Sequence, residues 1–197
     1  MRNTFNKMMG RTRFVVCRIF LHLSGSEVAP ILGLLNRSAR EAVNAEGDLE
    51  VVGEGLVQIC QALLQQDDYW LSAANEGEVF WSEGEAGDYV EELFTDSGQR
   101  YLSQVDFDDD IDVNDPFSVP VTRNVIVMMT VAYKGEEPDL ETDISNIEAL
   151  QYALKALINL HYKHNLEAIS IHFSPAQFGD ELTNDQLLMH YPELIPL

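Results

Sequence analysis

His161 and His164 stand three residues apart at the end of an apolar-striped segment, and a metal shared by both would need a further donor from His172 or His190. Zinc demands that such donors converge in a tight tetrahedron, whereas histidines at the end of a helix are accounted for by its negative dipole end. Carboxylates crowd Asp106, Asp108, Asp109, Asp110, Asp112 and Asp115 in a pattern that invites calcium. The EF-hand glycine at the sixth loop position and glutamate at the twelfth are both missing, so the run reads as a solvated acidic connection, with adventitious divalent binding as the alternative. Serines, histidines and aspartates abound, but no G-x-S-x-G elbow holds a nucleophile. Gly53-Glu54-Gly55 lies inside a helical stripe without the strand-to-helix setting of a phosphate loop, and it reads as close helix packing. The sequence thus assigns no catalytic, cofactor-binding or metal-binding residue and no cofactor. A small hydrolase using His172 or His161 as general base is kept as the competing class.

Residues suited to contact are easier to find. The segment Arg13 to Leu23 alternates, placing Val15, Cys17, Ile19, Leu21 and Leu23 on one face and Phe14, Val16, Arg18, Phe20 and His22 on the other. Asn124 to Lys134 and Leu166 to Ser174 alternate likewise, with Ile126, Met128, Thr130, Ser170 and His172 on the second face. That face is too apolar for open water and carries too many polar groups for an ordinary core. It reads either as a contact surface for a partner or a second copy, or as a face covered by a helix of this chain, the one around Leu187 and Leu188. Phe80 and Trp81, in an acidic, glycine-rich stretch, read either as a recognition element or as aromatics folded back on the helices.

Four helical stripes must position these strands. Pro30 opens the first, after a cap at Ser26; Asp48 caps the second, which runs to Gln66; the third spans about Ala86 to Gln104; and the fourth spans about Asp143 to Lys163 behind a Ser145 to Glu148 capping box. Tyr69 and Trp70 seal the end of the first helical hairpin, and Asn75 to Gly87 reads as a loop. After Pro175 and Gly179, Thr183-Asn184-Asp185-Gln186 forms a capping box for a short helix ended by Pro192. The order β-α-α-α-β-α-β predicts an α+β domain with a small three-stranded sheet and helices packed on one face.

Length and charge narrow the reading. A chain of 197 residues suits one domain, here residues 12–197 behind a basic tail at 1–11. Residues 1–40 hold seven of the twelve Lys and Arg against Glu27 alone, a surplus of +6, and the remainder holds five cations against 32 carboxylates, or −27. Such an acidic body repels nucleic acid and anionic lipid, and it favours basic protein surfaces. Cys17 and Cys60 occupy apolar positions and read as reduced core thiols, with a disulfide between them as the alternative. The apolar run near the start is interrupted by Arg18 and His22 and is too short to span a membrane, so a soluble, cytoplasmic protein is expected.

The C-terminal run IHFSPAQFGDELTNDQLLMHYPELIPL resembles the signature of domain of unknown function family 1517, in which a strand and a proline-containing turn precede "GD-x-LT-x-x-x-LL" and "YP-x-L". Asp67-Asp68-Tyr69-Trp70 after an apolar helix is similar to a second feature of that family. The resemblance implies a cyanobacterial or plastid, photosynthesis-related setting and brings no catalytic residue with it. The expected function is a non-catalytic interaction or assembly module.

Overall fold

Alternation and helical spacing translate into one antiparallel sheet with helices on both sides. The computed structural model describes residues 11–25, 28–102, 124–176, 180 and 182–197. The acidic run Asp106–Asp115, residues 1–10 of the basic tail, the cap expected at Ser26 and the turn at Gly179 lie outside the described residues. The strands are β1 (Phe14–Ser24), β2 (Trp70–Phe80), β3 (Asn124–Lys134), β4 (Leu166–Ser174) and the two-residue β5 (Ile195–Pro196). The helices are α1 (Ala29–Asn44), α2 (Leu49–Leu64), α3 (Glu83–Leu102), α4 (Ile147–Tyr162) and α5 (Asn184–His190).

Among the described residues the sheet runs β4-β3-β1-β2-β5, five strands where the sequence predicts three. The three expected strands are its neighbours in the order β4, β3, β1. β2 is the addition of consequence. It pairs with β1 along nearly its full length, Phe14 facing Phe80 and His22 facing Ser72. Asn75, Gly77 and the exposed Glu76 and Glu78 give it no apolar alternation, which is why it reads as a loop. Trp70, expected as a seal for the helical hairpin, begins this strand and is buried in the main core. Gly77 is needed where it stands: a Cβ there would lie 2.7 Å from the Val16 carbonyl oxygen and 2.9 Å from Cys17 Cβ.

The helix ends follow capping chemistry. Asp48 accepts from the amides of Glu50 and Val51, and Thr183 and Gln186 form both halves of the predicted capping box. For α4 the cap is Asn146, which accepts from the Ala149 amide, rather than Ser145; the Ser145 amide instead donates to Asp143. Asparagine at this position satisfies the same orphan donor one residue later, so the helix starts later than expected.

One face of the sheet is the main core, where Val15, Ile19, Leu21, Val127, Met129 and Tyr133 meet α1, α2 and α4. Gly53 and Gly55 do act in packing, against His161 and Ser38 respectively. The other face, expected to be free of helices or covered by the C-terminal helix alone, is covered twice. Ala86, Val90 and Leu93 of α3 close over Phe14, Val16 and Ala132, while Leu182, Leu187 and Tyr191 close over Phe20, Ala74, Ile126 and Met128. The correction to a one-sided arrangement has a simple cause. The chain had apolar stripes to spare on α3 and α5, and both faces of the central strands were apolar enough to take them.

Candidate functional site

Arg18 sits in the middle of the central strand and is 2% exposed. An extended strand places it directly between Glu76 on β2 and Thr130 on β3, and Ser170 on β4 continues the same polar rung. Its guanidinium donates to Glu76 through Nε at 2.8 Å and again through Nη2. Nη1 donates to Ser97 Oγ at 2.8 Å and lies 2.6 Å from Asp96 Oδ2, both on α3. Arg100, one turn further along α3, bonds Asp96 and Glu193 and lies over the rings of Phe20 and Tyr191. Burial alone would raise the Asp96 carboxyl, but hydrogen bonds and charge from Arg18 and Arg100 outweigh it and hold the pKa below its usual value. A buried guanidinium with a forked donor set is met by carboxylates at the rim, so the charges are paired where the sheet meets solvent.

The residues expected to meet a partner are placed accordingly. Phe14, Val16, Arg18, Phe20, Ile126 and Met128 are buried beneath α3 and α5, so the face they share is not displayed. Phe80 is partly buried and stacks against Tyr89 of α3, ring centroids 5.4 Å apart, and Trp81 is half-buried at the turn into α3. His172 is half-buried at the sheet margin, with Nδ1 3.0 Å from Ser170 Oγ. That pair has the distance of a base and a nucleophile, but Nε2 looks toward Gly98, and among the described residues no carboxylate bonds the ring. Cys17 and Cys60 are free thiols. Burial pushes Cys17 up to about 12 and Cys60 higher still, so neither supplies a thiolate.

What the structure does display is a sheet edge. β5 pairs only with Ser72 and Ala73, so among the described residues the outer side of β2 from Ala74 to Phe80 has no partner strand. Beside it lies a groove of about 590 Å³ between β2, the segment Leu140–Asp143 and the C-terminal Glu193 and Ile195. Asn75 fixes that opposite wall: its amide donates to the Thr142 carbonyl at 2.8 Å and its oxygen accepts from the Ile144 amide. The floor is apolar, with Val15, Cys17 and Val79; Glu141, Asp143 and Glu193 stand on the far wall, and Glu76 and Glu78 line the β2 edge with side chains on the opposite face, beside Arg18 and Val16. Three of these are held by arginines: Glu76 by Arg18, Glu141 by Arg13 and Glu193 by Arg100. Among the described residues no arginine or lysine pairs with Glu78 or Asp143, and Asp143 accepts only from Ser145. The sheet's other edge, β4, borders a smaller groove of about 190 Å³ lined chiefly by apolar side chains of α1, α2 and β4.

None of the groove's rim residues was singled out from sequence. Glu76-Gly77-Glu78 reads there as loop, and the opposite wall comes from segments more than 60 residues away in the chain. Arg18 was the available signal, because an arginine in an apolar strand requires a carboxylate on the neighbouring strand.

Two imidazoles, His22 buried and His172 half-buried, make stability depend on pH. Burial lowers the pKa of His22, partly offset by its hydrogen bond to Asn124, and burial with the nearby charge of Arg18 lowers that of His172. The unfolded chain therefore takes up protons before the folded one does. Stability is full above the ordinary value of 6.5 and falls as pH drops from there toward the depressed folded values. Denaturant midpoints measured between neutral pH and about pH 5 should show this loss, and a His22→Asn, His172→Gln double variant should flatten it.

A family model described as a protein of unknown function (DUF1517) matches residues 13–197. No curated protein and no solved structure matches the chain. No helix among the described residues is long and apolar enough to cross a membrane.

Proposed function

We propose that this chain, which belongs to the DUF1517 family of proteins of unknown function, is a non-catalytic interaction module that receives an extended, basic segment of a partner protein along the outer edge of β2. The observation that carries the reading is that, among the described residues, the outer edge of β2 from Ala74 to Phe80 has no partner strand and lies beside a groove with an apolar floor and carboxylates around it. A strand added at such an edge gains main-chain hydrogen bonds, and its side chains alternate between the groove, where a long cationic one meets Asp143, and the opposite sheet face, where one meets Glu78. Charged residues on an edge also guard it against pairing with itself. Here a second copy would bring the same carboxylates, and the net charge of −21 adds to the repulsion, so the favoured occupant is a different, basic chain. A cyanobacterial or plastid, photosynthesis-related setting belongs to the same proposal and rests on the family resemblance.

The test is a binding titration with fluorescent extended peptides of alternating Lys or Arg and aliphatic residues, compared with peptides in which Gln replaces the cations. The basic peptides should bind preferentially, and added salt should weaken them. A Glu78→Lys, Asp143→Asn double variant keeps an acceptor for the Ser145 amide, so it should fold normally and lose at least about tenfold in affinity. Equal binding by that variant, or no preference for the basic peptides, would contradict docking at β2.

A further inference from the structure

Glu50 and Glu54 lie one turn apart on α2 and both reach toward His161 at the end of α4. His161 Nε2 is 3.3 Å from Glu54 Oε1 and 3.8 Å from Glu50 Oε1. One ligand atom from each of the three residues lies within 4.8 Å of the other two. The imidazole is fixed: its side chain is 5% exposed, and its Nδ1 side rests on Gly53, where a Cβ would approach to 2.3 Å. Its Nε2 is thereby aimed outward between two carboxylates that are 52% and 61% exposed and free to adjust.

A hydrogen bond to His161 accounts for one of these acids. A second carboxylate one turn away on the same helix is unfavourable unless something positive lies between them. His164, at a positive φ of 53° just past α4, adds a further nitrogen, its Nδ1 3.8 Å from the other oxygen of Glu50.

We propose that Glu50, Glu54 and His161, with His164 as an adjacent fourth donor, bind a borderline divalent cation, Zn²⁺ foremost. Tetrahedral zinc with bonds of about 2.0–2.2 Å keeps its donors roughly 3.3–3.5 Å apart, so the observed spacings need only small carboxylate rotations. A mixed imidazole and carboxylate set suits zinc, whereas calcium and magnesium take oxygen donors alone. The ion would bridge α2 and α4, two helices packed on the same core, and add to the stability of a fold whose core is complete without it. The site is separate from the β2 groove; it keeps the His161 and His164 pair considered from sequence but draws its further donors from Glu50 and Glu54 rather than from His172 or His190.

Calorimetric titration of the full chain with zinc chloride, together with the visible spectrum of the Co²⁺-loaded protein, tests the proposal. Wild type should bind one ion at this site, give a tetrahedral cobalt spectrum and unfold at a higher temperature with Zn²⁺, while Ca²⁺ should do neither. The Glu50→Gln, Glu54→Gln double variant alters two exposed side chains and should keep the fold. It should lose zinc affinity by at least about tenfold and lose the thermal shift. A double variant that binds Zn²⁺ as wild type does would place the ion elsewhere on this acidic surface and overturn the assignment. A wild type that shows no binding at micromolar zinc would overturn it equally.

Discussion

Phe20→Ala is expected to lower the free energy of unfolding by about 3–5 kcal/mol, the cost of emptying a buried phenylalanine site. Phe20 is 1% exposed, packed with Met128, Ile126, Leu187 and Tyr191, and its ring lies 4.7 Å from the Arg18 guanidinium carbon. The cavity cannot collapse easily, because β1 below is held between β2 and β3 and the packing above is held by Arg100 through the His190 carbonyl and Glu193. A denaturant titration with unchanged slope and a lower midpoint is the expected record. If the sheet face were instead open for association, the same substitution would change monomer stability by less than about 0.5 kcal/mol and dissociate an oligomer.

Arg18→Ala is expected to cost about 2–3 kcal/mol. Breaking a fully buried ion pair costs about 3–5 kcal/mol, and the value is lowered here because Glu76 and Asp96 are near 40% exposed and can be rehydrated. The loss has two parts: the Leu93 carbonyl gives up a donor, and β2 gives up its main side-chain tie to β1. Arg18→Lys should recover only part of it, since one ammonium cannot reach Glu76, Asp96 and Ser97 together as the fork does. Full recovery by lysine would mean that charge alone matters and the fork geometry does not.

Much of the fold was legible because β1, β3 and β4 are short apolar runs rich in Val, Ile and Phe, and helical spacing is strict in α2 and α4. Asp48 and Thr183 were readable for the same reason, since a cap is a local bond between residues two or three apart. β2 was not, because a strand with one free edge and a paired charge on its covered face carries Glu where a core strand carries Val. Its pairing is dictated by Arg18, 58 residues away, and no local pattern contains that information. The mixed face was read correctly as unsuited to water, and both of its possible fates were visible in the sequence. The choice between them lay in the apolar positions Val90, Leu93, Leu187 and Tyr191, which needed a surface to cover. Of the two proposed sites, the sequence shows the His161 and His164 pair but neither the groove nor the carboxylates Glu50 and Glu54, for a related reason. The groove wall joins β2 to Leu140–Asp143 and the C-terminus, and Glu54 meets His161 across 107 residues.

Docking of a basic strand at β2 is tested most directly by amide hydrogen exchange, read residue by residue, with and without a Lys-rich extended peptide. An antiparallel or parallel addition uses every second main-chain group of the receiving edge. Exchange should therefore slow at alternate amides between Ala74 and Phe80 and stay unchanged along the outer edge of β4. Saturating peptide that leaves the amides of Ala74 to Phe80 unprotected, or protects β4 instead, would contradict the proposed role.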